Sequence, residues 1–299
     1  MNNAHSDTIF ALASGPGRAG VSVFRVSGPD AGAIVSGLTG RPVPAPRRAV
    51  FRAFYKACNA PIDEGLLLWM PGPGSFTGED IAEFQTHGST AVIEAMGAAF
   101  LAAGARQAGP GEFTRRAFDN GRMDLTEAEG LADLIDAETE GQRQQALRQM
   151  QGGLRDMYEG WREHLIDALA AIEGEIDFPD EGDIPDALAH KAAGPLDAAI
   201  AGMAEALKDQ DRGERVRAGL EVTIIGPPNA GKSTILNYLA GRDAAIVSAA
   251  AGTTRDIIDV HMVMAGLPVR VSDTAGLRET TDAIEAEGVK RARRRSQDS

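Results

Sequence analysis

The feature that most constrains this chain is one short run, Gly226-Pro227-Pro228-Asn229-Ala230-Gly231-Lys232-Ser233-Thr234, which fits G-x-x-x-x-G-K-[ST]. It follows a compact apolar stretch, Val222-Thr223-Ile224-Ile225, and opens a helical pattern from Ser233 to Ala240. Strand, glycine-rich loop and helix in that order give the motif a physical meaning. Glycines let backbone amides turn inward around an anionic phosphate, and the helix N-terminus adds its partial positive charge. In such a loop Lys232 reaches the β and γ phosphates and the Ser233 hydroxyl ligates Mg²⁺, while Asn229, Ala230, Gly231 and Thr234 complete the cradle. An α/β nucleotide-binding unit is therefore expected from about residue 216 onward.

A second motif narrows the class. Asp273-Thr274-Ala275-Gly276 follows a short apolar strand, 41 residues after Lys232. An acid at a strand end can hold Mg²⁺ through water, and the Gly276 amide can meet a γ-phosphate. Between the two motifs lies Gly252-Thr253-Thr254-Arg255-Asp256, where a threonine can complete the metal shell. This order describes a GTPase better than an ATPase or a kinase. Leu277 stands where a Ras-like GTPase places its water-orienting glutamine, so hydrolysis needs another group.

Length bounds the rest. At ~100–200 residues per domain, 299 residues imply about two domains, and three small ones fit. A net charge of −13 excludes non-specific polyanion binding by the whole surface but leaves room for a local basic patch. Cys58 is the single cysteine, which excludes an internal disulfide framework and a cysteine-clustered zinc site. Met1 to Thr8 lack the basic-then-apolar order of a secretory signal. No apolar run approaches the ~18 residues of a membrane span, so the chain reads as cytoplasmic, with no membrane partner.

Three regions differ in pattern. Residues 1–119 read as α/β. Thr8–Ala13, Val21–Val26, Gly65–Met70 and Ile81–Thr86 are strand-like runs, and Ser89 caps a helix from Ala91 to Ala103 with Val92, Ala95, Met96, Ala99 and Leu101 on one side. The glycine-rich Ser14–Gly20 joins strand to strand and reads as a turn. His87 reads as structural, and Trp69 and Trp161 as core. Residues 120–215 read as helical, with apolar positions from Leu125 through Ile135 and again from Leu147 to Ile172, and a weak point at Gly152-Gly153. Glu175–Asp186 carries six acids, two prolines and a glycine, a helix-breaking turn, before a helix from Leu188 to Asp211. Residues 216–299 hold the nucleotide motifs, with a hairpin expected where Ile258–Met264 and Val269–Ser272 flank Ala265-Gly266-Leu267-Pro268.

Many short motifs stand in one order: Asp7-Thr8-Ile9, Pro16-Gly17-Arg18-Ala19-Gly20-Val21, Phe24-Arg25-Val26-Ser27-Gly28, Ser75-Phe76-Thr77-Gly78-Glu79-Asp80, Pro110-Gly111-Glu112-Phe113-Thr114, Ala132-Asp133-Leu134-Ile135-Asp136-Ala137 and Ile176-Asp177-Phe178-Pro179-Asp180-Glu181. With the nucleotide motifs, they make the chain resemble the bacterial tRNA-modification GTPase family MnmE, or TrmE, over nearly everything to about Ala292. The resemblance implies an N-terminal α/β domain that forms a homodimer and binds 5-formyltetrahydrofolate or a related reduced folate. It also implies a helical domain with a G domain inserted in it. The implied activity is GTP hydrolysis with Mg²⁺ and K⁺. Acting with the flavoprotein MnmG (GidA), it serves addition of an aminomethyl-type group at C5 of the wobble uridine of certain tRNAs.

Residue by residue, Arg25 and Glu83 match folate-contacting positions, and Arg122 stands where the family usually has lysine, keeping charge but changing geometry. Asn229 and the loop Ser248–Thr253, including Ser248, Ala250 and Thr253, match the family's potassium site. Ser248 replaces the usual threonine and Ala250 a larger residue, changes that backbone ligands survive. Glu285, twelve residues after Asp273, matches the family's water-activating glutamate. No Asn-Lys-x-Asp motif follows Ala292, so the G domain is expected to be incomplete, with little guanine specificity and weak turnover. The family's return helices and its C-terminal Cys-Ile-Gly motif are not found either, and Cys58 lies in the wrong domain to replace that cysteine. Lys290, Arg291, Arg293, Arg294 and Arg295 read as a solvated helix end, a truncated or frameshifted gene, or a nucleic-acid tail. Two function classes stay open, a GTPase that drives tRNA modification and a folate-binding dimer with a non-hydrolysing G domain.

Overall fold

The computed structural model describes residues 7–15, 17–177, 190–224, 230–231, 234–235, 238, 259–264 and 266–273. Two compact units divide the chain, Met1–Glu129 and Gly130–Ser299.

The first unit is built on a six-stranded sheet. Its strands are β1 (Ile9–Leu12), β2 (Ala19–Ser27), β3 (Val50–Tyr55), β4 (Pro61–Met70), β5 (Ile81–Gly88) and β6 (Arg106–Gln107), in the spatial order β3-β4-β5-β2-β1-β6. Neighbours are antiparallel except β1 and β6, which run parallel. Residues between β1 and β2 join two antiparallel strands, as expected of a turn. Strand alternation puts Phe24, Val26, Phe54, Leu67, Trp69, Ala82 and Phe84 on one buried face. Helices α1 (Ala31–Thr39) and α2 (Thr90–Ala102) close over it with Ile34, Val35, Leu38, Met96 and Phe100. The Phe100 ring sits 5.1 Å from those of Phe10 and Phe84. A third helix, α3 (Glu112–Asp119), follows β6.

The Ser89 cap of α2 is found, its Oγ accepting from the Val92 amide at 3.2 Å. The predicted helix face needs one correction. Leu101 is 57% exposed and Phe100 is buried instead, because a 3.6-residue period groups Met96, Ala99 and Phe100 and turns Leu101 away. Helix α1 escapes pattern reading: two glycines weaken its propensity, and burial of Ile34, Val35 and Leu38 holds it.

The remaining helices are α4 (Leu125–Asp136), α5 (Glu140–Met150), α6 (Gly153–Asp177) and α7 (His190–Ala218). The break at Gly152 is where it was expected, with φ +90°. A further break precedes α5, set by a capping box. Thr139 Oγ1 accepts from the Gln142 amide at 3.2 Å, and Gln142 Oε1 accepts from the Thr139 amide at 3.0 Å. Helix α6 runs through Glu175 and Ile176 to Asp177, beyond the expected start of the acidic turn. Residues 178–189 lie outside the described residues. Helix α7 continues past Asp211 to Ala218. α6 and α7 pack along small residues: Ala168, Ala192 and Ala199 are buried, and a Cβ on Gly202 would come within 2.6 Å of Trp161 Nε1. Alanine makes this seam, so Leu165 and Leu169 of the apolar pattern stand exposed. Trp161 is only half-buried, contrary to its reading as core.

A second sheet follows, of β7 (Leu220–Ile224), β8 (Asp259–Met264) and β9 (Leu267–Asp273), ordered β7-β9-β8. The expected hairpin is β8–β9, antiparallel with Met264 opposite Leu267. β7 pairs with β9 in parallel. The architecture is thus α/β, with a mixed N-terminal sheet domain, then helices, then a sheet consistent with part of a G domain. Among the described residues no helix is long and apolar enough to cross a membrane.

Candidate functional site

Strands β2 and β5 are neighbours, and their register sets Arg25 directly opposite Glu83. The Arg25 Nε and Nη2 both donate to Glu83 Oε1, at 3.0 and 2.6 Å. Both residues keep some exposure, 31% for the arginine side chain and 16% for the glutamate. Alternation puts this pair on the sheet face opposite the helices. The guanidinium carbon lies 5.6 Å from the centroid of the Phe76 ring, within cation–π reach.

Phe76 belongs to the connector between β4 and β5, and that connector is fixed at several points. Asp80 Oδ1 accepts from the Gly72 amide at 2.9 Å, Asn120 Nδ2 donates to the Thr77 carbonyl at 2.8 Å, and the Ser75 hydroxyl donates to the Glu79 carbonyl. Arg122 Nε donates to the Ser75 carbonyl at 3.2 Å. Gly78 has φ +81°, and a Cβ there would press to 3.2 Å on Arg122 Cγ. Arg25, which pairs with Glu83, and Arg122, far apart in sequence, therefore reach adjacent connector residues, Phe76 and Ser75. Arg25 retains donors beyond the two it uses, and among the described residues Glu83 Oε2 takes no hydrogen bond. A donor and an acceptor side by side, with an aromatic ring against the donor, suit a planar heteroaromatic ligand.

Beside this pair lies a network that pattern reading missed. Arg116 has no exposed surface. Its Nη1 donates to the Asp7 carbonyl at 2.9 Å and to Glu79 Oε1 at 3.2 Å, and its Nη2 donates to Asp7 Oδ1 at 2.7 Å and Glu112 Oε1 at 3.2 Å. The Ser27 hydroxyl donates to Glu79 Oε2 at 2.7 Å and shares a 2.7 Å hydrogen bond with Thr77. Arg106 bridges Asp7 and Glu112 from the outside. Its hydrogen bonds, against the opposing effect of burial, hold the Glu112 carboxyl down to about 2, and they lower Asp7 as well. The signal for this network was the i,i+4 spacing of Glu112 and Arg116 on α3. His87 fits its structural reading, since its amide and Nδ1 engage the two oxygens of Asp63 at 2.7 and 2.8 Å.

On the nucleotide side, parallel pairing sets Ile224 opposite Asp273. β7 and β9 therefore end side by side, and the residues that follow them in sequence are Gly226–Thr234 after β7 and Thr274-Ala275-Gly276 after β9. Carboxyl ends of parallel strands are where α/β sheets bind ligands. Gly231 has φ +87°, and its carbonyl accepts from the Ile235 amide at 3.0 Å, with Thr234 and Ile235 helical. Ala230 and Thr234 are exposed. Asn229, Lys232, Ser233, Ser248, Ala250, Thr253, Thr254, Thr274, Ala275, Gly276 and Glu285 lie outside the described residues, as does the side chain of Asp273. Among the described residues no group of three or more His, Cys, Asp or Glu side chains is placed to hold a metal.

Comparison with known proteins identifies the family of the chain. The family described as GTP-binding protein TrmE N-terminus matches residues 8–122, and that described as MnmE helical domain matches residues 125–297. The tRNA modification GTPase MnmE of Maricaulis maris is 61% identical over 285 residues, 95% of this chain and 65% of the relative. That of Phenylobacterium zucineum is 57% identical over 96% of this chain and 64% of its own length. For Paramagnetospirillum magneticum the figures are 54%, 96% and 65%. The chain thus spans about 65% of the length of such relatives. Matched from Thr8 almost to its last residue, the chain belongs to the MnmE (TrmE) family.

Proposed function

We propose that this protein is a GTPase of tRNA modification. In this reading its GTP cycle serves addition of an aminomethyl-type group at C5 of a wobble uridine, with MnmG (GidA) as flavoprotein partner and a reduced folate as one-carbon source. The observation that carries the reading is the parallel register of Ile224 with Asp273: the two strands that precede the glycine-rich loop and Thr274-Ala275-Gly276 in sequence end side by side. The names of the relatives support both the GTPase and the tRNA substrate. We assign residues 1–119 to a folate-binding, dimer-forming domain, 120–215 to the helical domain and 216–299 to the G domain.

The donor chemistry fits the groups this function requires. Ser233 and Thr254 hydroxyls, with Asp273 acting through water, are hard oxygen donors of the kind Mg²⁺ prefers. Asn229 and the backbone of Ser248, Ala250 and Thr253 are neutral oxygens suited to K⁺. When bound, that ion supplies positive charge where an arginine finger would. Lys232 neutralises the β and γ phosphates, the amides of Ala230, Gly231, Thr274, Ala275 and Gly276 orient them, and Glu285 accepts the proton of the attacking water. In the N-terminal domain, Glu83 accepts from the amino-pyrimidine edge of a pterin, while Arg25 and Arg122 attract the anionic folate tail. GTP turnover in potassium and in sodium tests the reading. Faster turnover in potassium, lost in Asn229→Ala and Glu285→Ala, is expected. Equal rates in both salts refute the potassium site, and undiminished turnover in Glu285→Ala refutes its role as base.

A further inference from the structure

The chain carries a net charge of −13, yet no Asp or Glu occurs from Ala31 to Ile62. The same stretch holds Arg41, Arg47, Arg48, Arg52 and Lys56. The fold gathers these cations at one edge of the first sheet. Arg41 follows α1, Arg47 and Arg48 lead into β3, Arg52 lies within β3 and Lys56 follows it, and β3 is an edge strand. Arg41, Arg47, Arg48 and Lys56 are exposed. None of the five forms an ion pair among the described residues. Arg47 donates to the Gly74 carbonyl, and Arg52 Nη1 to the Phe51 carbonyl at 3.0 Å. Arg52 Nε is buried with no hydrogen-bond partner. Arg41 and Arg52 line a cavity of about 300 Å³ with Thr39, Tyr55, Phe51 and one acid, Glu64. The Phe51 ring is 63% exposed.

We propose that this edge docks the phosphodiester backbone of a folded RNA, an inference that rests on the tRNA reading above and assigns the contact surface. Arg41, Arg48 and Lys56, exposed and outside any ion pair among the described residues of an acidic protein, leave a positive field with no internal use. Four of the five are arginines, whose planar fork matches phosphate oxygens. The bare Phe51 ring offers a stacking surface for an unpaired base. Charges on an edge strand also block unwanted strand addition. That purpose needs charge on β3 itself, and four of the five cations lie outside it.

The test is fluorescence anisotropy of an unmodified, end-labelled tRNA transcript with the 299-residue chain, from 50 to 200 mM KCl. The triple variant Arg41→Gln, Arg48→Gln and Lys56→Gln changes only exposed side chains and spares Arg47, which holds the connector. It is expected to bind at least tenfold more weakly, with the salt slope reduced by about 2–3. A variant with Lys290, Arg291, Arg293, Arg294 and Arg295 changed to Gln is expected to keep most of the affinity. Wild-type affinity in the triple variant overturns the assigned surface and leaves the tRNA reading standing. Loss of binding only in the second variant does the same. Displacement of the RNA by poly-glutamate as readily as by unlabelled RNA assigns the edge to an acidic protein and overturns the proposal. Failure of the wild-type chain to bind RNA at any salt overturns both readings.

Discussion

Arg116 is a charged side chain with no solvent contact, and it is held by three carboxylates from separate stretches of chain, Asp7, Glu79 and Glu112. Removing the arginine strands Glu79, only 5% exposed, in a poorly solvating interior. Arg116→Ala is expected to destabilise the N-terminal unit by about 3–5 kcal/mol, measured by urea unfolding. Glu112 carries a pH signature. Its folded pKa, about 2, lies below the ordinary carboxylate value, so its stabilisation is complete above that ordinary value and is lost as pH falls toward 2. Wild type is expected to exceed Glu112→Gln in urea midpoint at pH 7, with the gap closing near pH 2–3. A constant gap would mean that the carboxylate charge contributes nothing. At the Arg25–Glu83 pair, calorimetry with 5-formyltetrahydrofolate is expected to show binding in wild type and little heat in Arg25→Ala. Equal heats would remove Arg25 from the ligand site. The Arg25 and Glu83 assignments came through resemblance, because the residues are 58 positions apart and only the β2–β5 register sets them opposite each other. Local patterning carries no record of that register. Arg116 was missed for the same reason, since two of its three partners lie 109 and 37 residues away.

Elements were legible where local chemistry sets them. Helix α2 announces itself by Ser89 and a periodic run, and β7 by its apolar block before a glycine loop. The start of α5 was equally local, in Thr139 and Gln142, but a search for apolar period alone passes over a capping box. Helix α1 and strand β3 depend on long-range burial, and neither stood out. The β4–β5 pairing makes a prediction at this scale. A Cβ on Gly65 would lie 1.8 Å from the Gln85 carbonyl oxygen, a backbone atom that cannot move aside. Gly65→Ala is therefore expected to cost about 3 kcal/mol in chemical unfolding, the upper end of the usual cost of overpacking, because the atom it meets is backbone. A cost under ~1 kcal/mol would show that the two strands separate readily there.

For the molecule as a whole, the proposed function assigns different ligand chemistries to the two sheets. The first offers a paired cation and carboxylate, with an aromatic ring against the cation. In the second, the chain leaves two parallel strands side by side, into the motifs that a nucleotide and its metal require. The most direct test of this account is equilibrium binding of a fluorescent GTP analogue in Mg²⁺ to wild type and to Lys232→Ala. Lys232 forms charge-assisted contacts with phosphate in the proposed site, so its loss is expected to weaken binding at least about tenfold. Equal affinity of the two proteins would contradict the assignment of Gly226–Thr234 as the phosphate loop, and with it the reading of this chain as a GTPase.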